Sequence, residues 1–211
     1  MIESISISLY IVGMFIIGCK LPISNIETKR KIAHIAASLW WVFAALFITY
    51  SDYLLLVPAI SFILIYVVSK FCNNCSLDRN DNIKEYGVLF FFVGILGLLL
   101  IIKSTNIQFK LGAIFAIPLI FGDSAAALFG KKFGKKHFLG WFKSKSIVGS
   151  LAMFMSSTLF LLLYNLFFGL NFSLWNLILI SLLATFFELI SIKGIDNFTI
   201  PCATALIYTL F

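Results

Sequence analysis

The segment Gly122–Ser150, GDSAAALFGKKFGKKHFLGWFKSKSIVGS, gathers a carboxylate, repeated glycines and a run of lysines in a chain that is otherwise strongly apolar. In lipid such a stretch is tolerated only where it meets water. An acid at a helix end, followed by flexible backbone and cations, is suited to holding a metal ion and a polyphosphate. Asp123 is that acid. Gly130 and Gly134 would let backbone N–H groups converge on an anion, and Lys131, Lys132, Lys135 and Lys136 supply charge for phosphate oxygens. Lys145, Ser146, Gly149 and Ser150 then open the next apolar stretch, where a helix N-terminus would add its dipole to the same anion site. Taken alone, the lysine run reads first as a membrane-surface anchor, and Gly122, Ala126 and Gly130 allow a helix-packing row with four-residue spacing, a reading that leaves the carboxylate and the lysines beside it without a role.

Few other ionisable residues lie within or beside apolar stretches. Lys31 and His34 open one stretch, Glu188 closes another, and Asp196 with Asn197 precedes Pro201. An ionised group in lipid costs at least ~2.5 kcal/mol, so each of these is expected to face a wet cavity or a partner. Asp123, Glu188 and Asp196 are the candidate metal ligands, and Glu188, Asp196 and His34 the candidates for proton transfer. The loop acids Asp78, Asp81 and Glu85 alternate with Arg79 and Lys84 and read as solvated. No Walker A sequence is present, which excludes a P-loop as the phosphate device, and neither HExxH nor a Ser/His/Asp or Cys/His arrangement occurs. Cys72 and Cys75 form a lone CxxC without the second ligand pair that a zinc site needs, so they and Cys19 and Cys202 read as reduced, structural thiols.

The elements that must position these residues are membrane helices. The 211 residues are 61% hydrophobic and 12% charged, with a mean hydropathy of +1.05, and no polar stretch is large enough for a separate soluble domain. The expected fold is an all-α, polytopic transmembrane bundle forming one domain over residues 1–211. Spans are placed at 3–19, 32–50, 53–70, 86–102, 111–129, 147–168, 174–192 and 198–211. The last is short, about 21 Å at ~1.5 Å per residue, so the count is seven or eight. The first has no basic n-region and no small-residue cleavage pattern, and is expected to be a retained helix. Fourteen Lys and Arg fall between spans on one side and only Lys103 and Lys110 on the other, which puts the first side in the cytoplasm and the N-terminus outside. Anchoring at an anionic inner leaflet accounts for the net charge of +7 without a nucleic acid partner.

Placed in order, these residues resemble the signature of the CTP-dependent lipid kinase family, which includes dolichol kinase, phytol kinase and the yeast-type diacylglycerol kinase. The similarity rests on Gly122-Asp123-Ser124-Ala125-Ala126, Gly130-Lys131-Lys132-Phe133-Gly134, Lys145-Ser146 with Gly149-Ser150-Leu151-Ala152, Glu188, and Asp196-Asn197-Phe198-Thr199-Ile200-Pro201. Upstream, Arg30-Lys31 with His34 resembles the family's Arg-Lys-x-x-His element, so the similarity spans residues 29 to 201. It implies a membrane enzyme that moves the γ-phosphoryl group of CTP, with Mg²⁺, to the hydroxyl of a lipid alcohol. Asp123 would hold the metal, Lys31, Lys131, Lys135, Lys145, Ser146, Asn197 and the glycines would bind the nucleotide, and Glu188 or Asp196 would serve the lipid hydroxyl. Many relatives carry an acid where Val148 stands. A second similarity, to phosphatidate cytidylyltransferase, lacks the proline and the acid of that enzyme's Ser-Pro-Lys-Lys-Thr-x-Glu-Gly element here. The rival from another class is a small membrane transporter or scaffold; of a transporter the chain shows neither inverted repeats nor broken helices in both halves.

Overall fold

The computed structural model describes residues 2–23, 25–47, 52–71, 87–136, 145–192 and 194–210. Cys72, Cys75, Asp78, Arg79, Asp81, Lys84, Glu85, Lys143, Ser144 and Lys193 lie outside the described residues. Among the described residues the chain is helical, with no β-strand: α1 (Ile2–Lys20), α2 (Ile26–Ser38), α3 (Trp40–Phe47), α4 (Leu56–Phe71), α5 (Gly87–Thr105), α6 (Phe109–Gly112), α7 (Ser124–Phe133), α8 (Ile147–Phe168), α9 (Leu174–Ile190) and α10 (Asp196–Leu210). A 3₁₀ turn, Asp52–Leu55, leads into α4. Between α6 and α7 the chain stays helical but changes pitch, first as a 3₁₀ turn over Ala113–Ala116 and then as a π-helix over Pro118–Asp123.

Local chemistry sets both ends of α8. The Ser146 side chain accepts from the Gly149 N–H at 3.0 Å and caps α8. At the far end Gly169 takes a left-handed conformation, φ 59°, which only glycine adopts freely. The Asn165 side chain bonds the Phe172 N–H and C=O, both at 3.2 Å, closing the turn into α9. Pro201 lies inside α10 and cannot donate to the Asn197 carbonyl one turn earlier. That carbonyl packs instead against α5, where a Cβ on Gly94 would sit 2.3 Å from it.

Among the described residues three stretches are long and apolar enough to cross a membrane: Gly87–Thr105, Phe109–Phe133 and Ile147–Phe168. Ile2–Gly18, Asp52–Tyr66 and Leu174–Ile190 are apolar but shorter. Phe109–Phe133 is the central rod, with 72% of its apolar window buried against 28% for α8. One large apolar core fills the bundle, centred on Trp40, Trp41, Phe109, Ile114 and Leu161. A second, small one joins Leu119 and Ala126, which flank Asp123 in the chain, to Met153 of α8, Ala184 of α9 and Ile200 of α10.

Two of the expected spans differ from what the chain forms. The stretch 32–50 is not one helix: the chain turns at Leu39, between α2 and α3, and α2 starts upstream at Ile26, so Lys31 and His34 lie inside a helix and not at its mouth. The stretch 111–129 runs on to Phe133, so Gly130, Lys131 and Lys132 are helical and not part of a flexible loop.

Candidate functional site

The ionisable residues meet at one end of the bundle. Lys31, from α2, donates to Asp123 Oδ2 and forms an ion pair with it, 92 residues apart in sequence. Lys145, just ahead of α8, donates to Glu188 Oε1 near the end of α9. Asp196 heads α10, and its carboxylate feels Asp123, Lys31, Lys145 and Glu188 together, so the two pairs and the third acid make one electrostatic unit. Sequential antiparallel helices explain the convergence, because α8 starts, α9 ends and α10 starts at the same end.

The π-helix is what delivers Asp123. One wide turn from Pro118 to Asp123 loosens the ladder and frees carbonyls. Ser124 Oγ donates to the Ile120 carbonyl at 2.8 Å, and Ser156 Oγ, from α8, donates to the Phe121 carbonyl at 3.2 Å. Ser156 was not singled out by its sequence. Its signal was the row Gly149, Met153, Ser157 at four-residue spacing beside it, which mates with Gly122, Ala126 and Gly130. A Cβ on Gly122 would lie 2.2 Å from Ser157 Oγ and 2.9 Å from Met153 Sδ.

The glycines do a different job from the expected anion cradle. Gly130 sits within α7, and a Cβ there would lie 2.9 Å from Ser146 Oγ and 3.3 Å from the Gly149 Cα. A Cβ on Gly149 would lie 3.1 Å from the Ala126 carbonyl. The Gly134 N–H already bonds the Gly130 carbonyl at 3.0 Å, and the Gly149 N–H bonds Ser146. These residues let α7 and α8 cross closely, and the two amides are spent on helix ends. Asn197 is likewise engaged, donating from Nδ2 to the Gly87 carbonyl at 2.9 Å and tying α10 to α5. Lys131, Lys132, Lys135 and Lys136 are exposed, with Lys131 Nζ 3.4 Å from Asn25 Oδ1 and Lys132 over the Phe133 ring. His34 packs edge-on against Phe91, ring centroids 5.2 Å apart, with Nε2 buried and lacking a hydrogen-bond partner. Glu188 Oε2 is also buried and unpartnered.

Outside the apolar stretches, two groups have displaced proton affinities. Burial lowers the Lys145 ammonium, and the carboxylates around it, Glu188 first and then Asp196 and Asp123, together more than offset it, so the net displacement is upward and Lys145 is a cation at neutral pH. Asp196 is raised from 3.8 to about 6, by burial first and then by Asp123. Among the described residues no group of three His, Cys, Asp or Glu side chains is arranged to hold a metal. The acids therefore do not suit an all-protein cage. They do suit an ion of the magnesium kind, which takes one or two carboxylates and completes its shell with water and phosphate oxygens. The free Glu188 Oε2 is one such acceptor.

No protein-family model matches the chain, and no solved structure is significantly similar. Over 213 aligned positions it is 29% identical to the phytol kinase of Synechocystis sp. (strain ATCC 27184 / PCC 6803 / Kazusa), covering 89% of this chain and 81% of that one. This is a distant homology, which supports a lipid kinase family and extends to neither dolichol kinase nor diacylglycerol kinase. Over 199 positions it is 30% identical to the uncharacterized protein RP860 of Rickettsia prowazekii (strain Madrid E), covering 89% of this chain and 95% of that one. Near-complete coverage at that identity makes the chain a member of the family of the Rickettsia protein RP860, with a phytol kinase as its distant relative.

Proposed function

We propose that this protein is an integral membrane kinase that transfers the γ-phosphoryl group of CTP to the hydroxyl of a lipid alcohol (phytol, a polyprenol or dolichol, or diacylglycerol) at the cytoplasmic face. In this reading the single domain crosses the membrane seven or eight times with its N-terminus outside. The observation that carries it is the pair of lysine–carboxylate bridges, Lys31–Asp123 and Lys145–Glu188, gathered with Asp196 at one end of an apolar bundle. Homology to a phytol kinase supports the same reading.

Phosphoryl transfer asks a protein mainly to position reactants and to neutralise charge. Lys31 holds Asp123 in place. Asp123, with Glu188 or Asp196, are the residues that would hold Mg²⁺, whose chemistry is to neutralise the phosphate oxygens. Lys145 exchanges Glu188 for a phosphate oxygen when the nucleotide enters, and Ser146, with its own proton still available, stands beside it. Lys131 and Lys135 offer charge from the water side. Freed of its lysine, Glu188, or else Asp196, takes the proton of the lipid hydroxyl as its oxygen bonds the γ-phosphorus and the bond to CDP breaks. The small apolar cluster flanking Asp123 keeps bulk water from competing with the alcohol.

The test is transfer by the purified protein in lipid, with γ-labelled CTP or ATP crossed against phytol, polyprenol and diacylglycerol. Label from γ-CTP entering the organic phase is the expected result. Entry of α-label in its place would identify cytidylyl transfer, and no label from either would overturn the reading.

A further inference from the structure

Two half-buried hydroxyls join the ends of the helices that carry Glu188 and Asp196. Ser191 stands where the chain leaves α9, three residues on from Glu188, and Thr199 lies in the first turn of α10, three residues on from Asp196. That spacing puts each hydroxyl on the side of its helix that carries the acid. Ser191 Oγ and Thr199 Oγ1 are 2.6 Å apart, Ser191 Oγ is 2.6 Å from the Phe187 carbonyl, and Thr199 Oγ1 is 3.2 Å from the Ile195 carbonyl.

Counting protons gives this contact a direction. Each hydroxyl has one proton to donate, so three contacts compete for two protons. Two oxygens 2.6 Å apart repel unless a proton lies between them, so both of the shorter contacts are hydrogen bonds. Ser191 therefore donates to the Phe187 carbonyl and Thr199 donates to Ser191, which leaves the Ile195 carbonyl as the weak third contact. The relay ends on the peptide group that joins Phe187 to Glu188. Between the two helices Gly194, in the left-handed region at φ 89°, lets the chain turn back on itself. Asn197 ties the head of α10 to α5, and the Thr199 hydroxyl ties it to α9.

We propose that Ser191 and Thr199 are positioning residues: their hydroxyl clasp fixes the last turn of α9 against the first turn of α10, and so holds Glu188 and Asp196 in the relation that gives the site its affinity for a divalent cation. This rests on the reading of Asp123, Glu188 and Asp196 as the acids that hold Mg²⁺ in a lipid kinase, and it names what keeps two of them in register. Asp196 belongs to neither lysine bridge and feels Asp123 and Glu188 as like charges, so its place beside them depends on how its helix is held.

The test is binding of Mn²⁺, which takes the same oxygen ligands as Mg²⁺, to the purified full chain in phosphatidylcholine nanodiscs, followed by EPR with neither nucleotide nor alcohol present. Thr199→Val keeps the shape of the side chain and removes the hydroxyl, and should raise the Kd for Mn²⁺ about tenfold. Thr199→Ser, which keeps the hydroxyl, should bind Mn²⁺ nearly as the wild type does. Ser191→Ala should match Thr199→Val, and the double variant should be no weaker than either single one, because both remove the same contact. A Kd unchanged in Thr199→Val, whatever its Tm, would mean that the hydroxyls merely close a turn and would overturn the proposal. Equal losses in Thr199→Val and Thr199→Ser, or a wild-type protein that binds no Mn²⁺, would overturn it too. If Mn²⁺ binding follows the hydroxyls but no alcohol is phosphorylated, the kinase reading fails and the clasp stands.

Discussion

The two lysine–carboxylate bridges are alike in chemistry, yet they differ in their access to water. In Lys31–Asp123 both side chains are sealed, 8% and 6% exposed. In Lys145–Glu188 the acid is sealed at 5% while the lysine is 21% exposed. A sealed pair has paid its desolvation and holds its geometry only while both partners stay. A half-open pair lets its cation trade one anion for another at little cost. Under the proposed function, the first bridge would fix a carboxylate and the second would receive an incoming anion.

Breaking the sealed bridge should have the largest effect. Asp123→Asn leaves Lys31 buried without its counter-charge, so the protein should lose about 3–5 kcal/mol of stability, read as a fall in Tm, along with roughly 10³-fold in transfer. Pairing it with Lys31→Met should recover Tm and none of the activity; recovered activity would show that the acid serves only the fold. Breaking the open bridge should be milder and one-sided. Lys145→Ala is expected to raise the KM for CTP about tenfold to a hundredfold, with the lipid KM unchanged, and equal rises in both would remove the distinction between the bridges.

Asp196, which belongs to neither bridge, sharpens the comparison through pH. Its affinity for a proton is raised in the fold from 3.8 to about 6, so the folded state holds the proton longer than the unfolded one. The stability it contributes is complete below pH 3.8 and is lost as pH rises through about 6. The Tm of the metal-free protein should therefore fall over that window, and Asp196→Asn should flatten the fall. The smallest effect belongs to the scaffold beneath the bridges. Gly149→Ala forces a Cβ to 3.0 Å from Ser146 Oγ and 3.1 Å from the Ala126 carbonyl, and should cost about 1–3 kcal/mol in stability while leaving both KM values near their wild-type levels.

Much of the helical architecture is legible in the residues, and some of it is not. The span 147–168 can be read to the residue, because Ser146 caps it and Gly169 stops it, both by local hydrogen bonding and backbone freedom. The run Gly130-Lys131-Lys132-Phe133-Gly134 is misleading, since glycine and lysine suggest a loop until the partner helix is known. Gly130 is there because α8 passes at Gly149, a contact that no local pattern states. The break at Leu39 is equally silent, as apolar residues continue on both sides of it. Sign of charge is visible in a sequence and partnership is not: nothing near Lys31 says that its counter-ion lies 92 positions away, or that Lys145 meets Glu188 across 43.

The wide turn at Pro118–Asp123 carries a consequence for length. A π turn holds one residue more than an α turn, and that extra residue rotates everything after it by about 100°. Deleting one position between Leu119 and Gly122 would let the rod rewind as plain α-helix, with nearly the same composition and hydropathy. The carboxylate would then swing away from α2, and the small-residue row would no longer meet α8. A comparison that scores only apolar character would rank such a chain as equivalent, although its acid would address the wrong neighbour.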